Sequence, residues 1–270
     1  HMTGLHYVTV SCVLIPAMTV LYFEQGGSRS GRENGLIMLC ALVSIAIPIL
    51  CVSRFQLVFA VILAVFTFCA SQKNVSPWLF VAAVVALIPC YVLLTAARSH
   101  DVTYLNGIFE MKNSRMPIFV SQPYIYIANN YENFDCLVKA LPAHTWGIRM
   151  LFPVWALTGL KFLYPYLVSF PIYVDKTELT TVTLIYDAYY DFGIIGVLVF
   201  ACILGAVCFF LVEKLSEMKN PMGYLFYGQM AIYMMLSFFT TWFSNPTTWF
   251  YFLVTAVLTF YLSREGSHFF

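Results

Sequence analysis

Phe192-Gly-Ile-Ile-Gly-Val-Leu-Val-Phe-Ala-Cys-Ile-Leu-Gly-Ala-Val-Cys-Phe-Phe-Leu-Val212 runs for 21 residues without a charged side chain. A helix of roughly 20 mostly apolar residues is long enough to cross the hydrocarbon core of a bilayer. Lipid offers no hydrogen-bond partners, so the backbone of such a run has to satisfy itself as a helix. Six other runs read the same way: Leu5–Phe23, Gly35–Val52, Phe55–Ala70, Trp78–Ala97, Tyr224–Phe243 and Thr247–Ser263. Hydrophobic residues make up 61% of the 270 and charged residues 10%, with a mean hydropathy of +0.80. Too little polar sequence is left to cover these runs as the core of a soluble protein. The expected fold is therefore an all-α, polytopic transmembrane helical bundle of about seven to eight spans.

Between the spans lies an island. Residues 98–191 hold 15 of the 27 acidic and basic side chains. The chain thus divides into N-terminal spans (1–97), a large loop region (98–191) and C-terminal spans (192–270). Inside the island, Leu151–Tyr164 is apolar but carries Pro153, Gly159 and Lys161. It reads as an interfacial or re-entrant helix, with a true span as the alternative. Trp146, Trp155, Tyr164 and Tyr166 suit the headgroup level, where amphipathic rings settle. Seven of the eight cysteines lie in or at the ends of spans and only Cys136 in the island, so no disulfide can form within the island and cysteine usage leaves the compartment open. The net charge of +1, without a basic cluster, gives no footing for nucleic acid.

Orientation follows the lysines and arginines of short loops. Lys214 and Lys219 in Glu213–Asn220 mark that loop as cytoplasmic, which puts the island's C-terminal end at Asp191 on the outer side, and the whole island with it if Leu151–Tyr164 does not cross. Counting back places Gly26–Glu33 in the cytoplasm and Arg54 outside; a miscount by one span exchanges the two.

Several residues could carry chemistry. Arg54 and Arg98 end apolar runs on the expected outer face, and Arg149 lies within the island. A guanidinium is a permanently charged fork suited to phosphate oxygens, although plain snorkelling or a structural salt bridge accounts for each one equally well. Arg29 and Arg32 read as positive-inside anchors or as a second anion site. His144, in the loop Pro142-Ala-His-Thr-Trp-Gly147, is the imidazole that could take a proton near neutral pH. Asp187 and Asp191, four apart, would share one helix face; Asp191 could also simply N-cap the span after it. Tyr126, Asn130 and Tyr190 belong to an aromatic and amide-rich set that fits sugar binding, with headgroup-level tyrosines as the plain alternative. Neither a CxxC, a His/Cys cluster nor a DxD pair occurs, so no metal or other cofactor is expected.

Three motifs in order resemble one family. The turn Gly26-Gly-Ser-Arg-Ser-Gly31, the segment Tyr124-Ile-Tyr-Ile-Ala-Asn-Asn-Tyr131, and Thr180-Thr-Val-Thr-Leu-Ile-Tyr-Asp-Ala-Tyr-Tyr-Asp-Phe-Gly-Ile-Ile-Gly196 resemble those of bacterial O-antigen polymerases, the Wzy-type oligosaccharide repeat unit polymerases. The resemblance covers roughly residues 26–260. It implies a multi-pass enzyme of the bacterial inner membrane, GT-C-like in architecture, with its large loop extracytoplasmic. The implied substrate is an undecaprenyl-diphosphate-linked oligosaccharide within membrane lipid, and the implied protein partner is a chain-length regulator. Members of that family carry more spans ahead of the Gly-Ser-Arg turn than the single run here, so N-terminal spans are expected to be missing. If Arg29 serves the reaction, the topology above is off by one span.

The implied reaction moves a glycan from its lipid diphosphate to a hydroxyl of the next repeat unit. Such an enzyme must neutralise charge growing on the diphosphate and hold the hydroxyl in line. Arg54 and Arg98 are the first expectation for the diphosphate, with Arg149 in reserve; His144, then Asp191 or Asp187, for the hydroxyl. An O-antigen ligase would share this chemistry with a different acceptor. A flippase or transporter of lipid-linked sugars would instead show inverted repeats and charges deep within spans, and the sequence shows neither.

Overall fold

The computed structural model describes residues 3–28, 30–72, 75–97 and 101–266. Arg29, Arg98 and His100 lie outside the described residues. All regular structure among the described residues is helical. Helices α1 (Thr3–Val10) and α2 (Ile15–Glu24) join through a 3-10 turn into one apolar rod, followed by α3 (Gly31–Leu50), α4 (Arg54–Ser71) and α5 (Trp78–Ala96). The charged middle of the chain forms α6 (Val102–Ile108), α7 (Ile118–Ala140), α8 (Phe152–Leu157) and α9 (Leu160–Leu163). Then come α10 (Tyr186–Lys214), α11 (Met222–Met235) and α12 (Pro246–Gly266).

Among the described residues, five helices are long and apolar enough to cross a membrane: His6–Glu24, α3, α4, α5 and Tyr186–Glu217. They mark an all-helical membrane protein. Where the sequence suggested one span over Tyr224–Phe243, the helix stops at Met235. At 14 residues α11 reaches about 21 Å, short of a hydrocarbon core of about 30 Å. The chain then turns twice, tied by Trp242 Nε1 donating to Leu236 O and by Asn130 Nδ2 donating to Phe238 O. Helix α12 has the length of a span, but an i+4 column of hydroxyls runs along it. Thr255, Thr259 and Ser263 each donate back to the carbonyl four residues earlier, as hydroxyls inside helices commonly do.

The described residues fall into two compact units. The first comprises residues up to 99, 211–234 and 250 onward. Helix α2 packs chiefly on α4, and Ala17 of α2 and Ala60 of α4 are both fully buried. Leu14, Leu21, Leu57 and Leu63 are buried in the same unit. Gly228 on α11 is there because nothing larger fits: a Cβ would stand 2.7 Å from Thr67 Oγ1 and 3.1 Å from Leu63 Cδ1. Gln229 Nε2 donates to Thr255 Oγ1 at 2.7 Å, a buried bond that ties α11 to α12.

The second unit comprises residues 100–210 and 235–249. Its core is Leu137, Val182, Tyr186 and Tyr190, with Phe134, Phe170 and Tyr173 against it. Residues 170–183 have almost no regular structure, so their buried carbonyls need partners from elsewhere. Helix α7 supplies them. Asn129 and Asn133 donate to Leu179 O, Asn133 also to Thr181 O, and Asp175 N donates to Asn133 Oδ1. The expected interfacial helix Leu151–Tyr164 is two short pieces, α8 and α9, parted by Gly159 in the left-handed region. Neither piece has the length of a span.

Gly228→Leu should overpack the contact with Thr67 and Leu63 and destabilise by about 1–3 kcal/mol. Gly205→Leu, with nothing within 4 Å of its Cβ position, should leave stability unchanged. Thermal unfolding of both variants in detergent micelles compares them directly.

Candidate active site

The site is built beside a break in α10. Gly193 stands at φ 64°, ψ −150°, a conformation reached without strain only by glycine. A break loosens the helical hydrogen bonds that span it. The carbonyls just before it find partners in the loop ahead of α8: Trp146 N donates to Asp191 O at 3.1 Å, and His144 Nδ1 lies 3.2 Å from Tyr190 O. A Cβ on Gly193 would come within 3.0 Å of His144 Nε2, so the imidazole packs directly on the break.

One turn of α10 earlier, the two aspartates do different jobs. Asp191 is wholly buried. It accepts from Met150 N at 2.7 Å, from Arg149 N at 3.3 Å, and from Thr145 Oγ1. That carboxylate folds residues 145–150 into a turn and fixes the backbone of Arg149. Asp187, also buried, accepts from Arg149 Nε in an ion pair. The guanidinium lies over the rings of Tyr190 and Tyr186, its carbon 4.6 and 5.3 Å from their centroids. Such cation–π contacts contribute about 1–2 kcal/mol when largely desolvated. The arginine is therefore held at its backbone, its Nε and its flat face. Among the described residues neither terminal Nη has a hydrogen-bond partner.

Arg149 lines a cavity of about 390 Å³. Beside Arg149 stands Asp187, the one carboxylate on the lining. Further polar lining comes from Thr240, Thr241, Ser244 and Asn245; Phe152, Leu167, Val168, Phe170, Ile172 and Pro246 complete an apolar remainder. The hydroxyls of Thr240, Thr241 and Ser244 have no hydrogen-bond partner among the described residues. Asn245 Oδ1 accepts from Thr247 N at 2.9 Å, which caps α12 directly ahead of Pro246. The N-terminus of α12 thus adds partial positive charge on the same wall. A guanidinium fork, a capped helix start and open hydroxyls beside an apolar wall suit an oxyanion carried on a hydrophobic molecule.

The sequence-derived candidates divide sharply. Arg149, Asp187, Asp191, His144 and Tyr190 come together. Asp191 has no open oxygen for a substrate, because its carboxylate is sealed by three donors within the protein; it positions Arg149 and is not a proton acceptor. Tyr190 is not a sugar platform either. It is 2% exposed, donates to Pro171 O and lies under the guanidinium. Asn130 is fully buried, gives its amide to Phe238 O and Phe239 O, and accepts from Thr181 Oγ1. It fixes the backbone just before Thr240, and no sugar can reach it. Tyr126 is half-buried, accepts from Gln122 Nε2 and meets Phe239 edge-on, away from the cavity lining. His144 is exposed and also off the lining.

Arg54 belongs to the first unit. It is buried, donates from Nη1 to Thr95 Oγ1 at 2.9 Å and lies over Tyr91. Those contacts join α4 to α5, the structural reading of that arginine. The wall at 240–245 was not singled out from sequence, although Thr-Thr…Ser-Asn-Pro interrupting an apolar stretch was a signal that could have found it. Among the described residues no three metal-ligating side chains cluster. Comparison with protein-family models, with curated proteins and with solved structures finds no match to this chain.

Asp191→Ala should leave three part-buried donors without their acceptor, each costing about 1–3 kcal/mol at most. Thr145→Val removes one of those bonds and should cost only about 1 kcal/mol. Denaturant unfolding should rank wild type above T145V and T145V above D191A; equal stability of D191A and wild type would contradict the clamp.

Proposed function

We propose that this chain is a membrane glycosyltransferase that joins undecaprenyl-diphosphate-linked oligosaccharide repeat units into a surface polysaccharide. In this reading it works at the outer face of the bacterial inner membrane. Helix α12, which has the length of a span, brings the five candidate crossings to six, residues 98–191 face outward, and the architecture is GT-C-like. The observation that carries the proposal is Arg149, pinned on three sides, lining the cavity, and with no hydrogen-bond partner for its terminal nitrogens among the described residues.

Transfer needs a leaving diphosphate neutralised without reorganisation, which a preset guanidinium does best in a water-poor site. The bond from the anomeric carbon to the diphosphate oxygen breaks, and its electron pair departs with the lipid diphosphate beside Arg149. A hydroxyl oxygen of the acceptor sugar forms the new bond to that carbon. Its proton passes to Asp187, the carboxylate on the same lining. The hydroxyls of Thr240, Thr241 and Ser244 and the amide of Asn245 hold the sugar. Ligand sites typically enclose about 300–1,000 Å³. At 390 Å³ the cavity suits a diphosphate with the sugar next to it, the rest of the glycan lying outside. The diphosphate role thereby moves from Arg54 to Arg149. His144 becomes a brace for the α10 break.

Wild-type protein reconstituted with undecaprenyl-diphosphate-linked repeat units should produce a ladder of lengthening glycans. Arg149→Lys keeps a cation beside Asp187 but loses the fork, and should slow elongation about 100-fold, the usual cost of one preset charge-stabilising donor. A wild-type ladder from the lysine variant would remove the proposal.

A further inference from the structure

The second unit exposes an apolar strip along its short helices. Trp146, Leu151, Val154, Phe162, Leu163 and Tyr166 all stand open, Leu163 at 72%. Exposed patches of this kind mark a surface made for something apolar. Within residues 151–168 Lys161 is the only charged side chain. Its ammonium lies 5.1 Å from the centre of the Phe162 ring.

Three observations fit one occupant, the headgroup boundary of a bilayer. The pieces are too short to span, as α8 has six residues and α9 four, yet two tyrosines (Tyr164 and Tyr166, in edge contact at 6.0 Å), a tryptophan and a lysine ring the strip. Those are the side chains that settle between water and acyl chains. The strip also begins where a candidate crossing begins. Trp146 meets Phe192 edge-on at 6.2 Å, and Phe192, Ile194 and Ile195 open the exposed apolar surface of α10. Lipid around α10 would therefore reach Trp146 without a gap.

The same short segment lines the cavity from its other side. Phe152, Leu167 and Val168 face the space shared with Arg149, while Leu151, Val154 and Leu163 are exposed. We infer that residues 146–168 form a membrane-docking apron, seated at the lipid headgroup boundary, through which a lipid-linked molecule passes from the leaflet to Arg149. The docking follows from the exposed strip alone; the passage rests on the function proposed above.

Wild-type protein in liposomes is footprinted with a lipid-soluble and a water-soluble carbene reagent. The lipid-soluble reagent should label 151–168 about as strongly as the start of α10. It should spare the Glu132–Lys139 face of α7, whose charged side chains are exposed. Labelling of 151–168 by the aqueous reagent alone, or by neither because protein covers it, overturns the docking. Passage is read separately with Leu163→Asp. Turnover of an undecaprenyl-linked donor in liposomes should fall at least tenfold, while a short-chain, water-soluble isoprenyl-diphosphate donor should be used as by wild type. Equal loss with both donors overturns the passage. Absence of turnover in wild type would sink the proposed function and leave the footprint standing.

Discussion

Two carboxylates one helical turn apart hold a single arginine, and the rest of the second unit is arranged to keep them there. Asp191 sets the backbone that delivers Arg149 and Asp187 takes its Nε. Burying three charges is costly unless geometry and hydrogen bonds are complete. Here the hydrogen-bonding capacity of Asp191 is filled by backbone N–H groups and a threonine, and the guanidinium is shielded by tyrosine faces. Completeness fails at two places, the arginine's outer nitrogens and the second oxygen of Asp187, which is what a binding and reacting pair requires. The Gly193 break is part of the device, since it turns the carbonyls of Tyr190 and Asp191 toward the loop that carries His144 and Trp146.

The asparagines of α7 perform a second version of the same task. A long stretch without regular structure can be buried only if its carbonyls are met. Asn129, Asn130 and Asn133 meet them, on one side at 179 and 181 and on the other at 238 and 239. The irregular segments that line the cavity are thereby anchored to one helix. Its position is set by amides, as much as by the apolar packing of Leu137 on Tyr186 and Tyr190.

The spans were largely legible because charge-free runs of about 20 residues leave the backbone few choices. Phe192–Val212 lies inside α10, and Gly35–Val52 and Trp78–Ala97 match α3 and α5 within a few residues. Tyr224–Phe243 misled because hydropathy does not register Asn130, 108 residues away, donating to the carbonyl of Phe238 and ending the apolar run as helix. The i, i+4 spacing of Asp187 and Asp191 did signal one shared face. It could not say that one carboxylate would be sealed and the other open, because that depends on the turn at 145–150. Asn130 and Tyr190 looked like sugar contacts for a similar reason: amides and rings that complete a polar interior have the composition of a carbohydrate site. Arg149 stood behind Arg54 and Arg98 because a span end is visible in sequence, whereas a three-sided clamp is not.

The central claim is that Arg149 offers its open nitrogens to a diphosphate. Its most direct test is a thermal-shift titration of the purified protein with farnesyl diphosphate. The comparison is the paired Arg149→Gln, Asp187→Asn variant, which leaves neither partner as a lone buried charge. The account predicts a saturable rise in the midpoint for wild type and none for the variant. Equal shifts in both, or no shift in wild type, would contradict it.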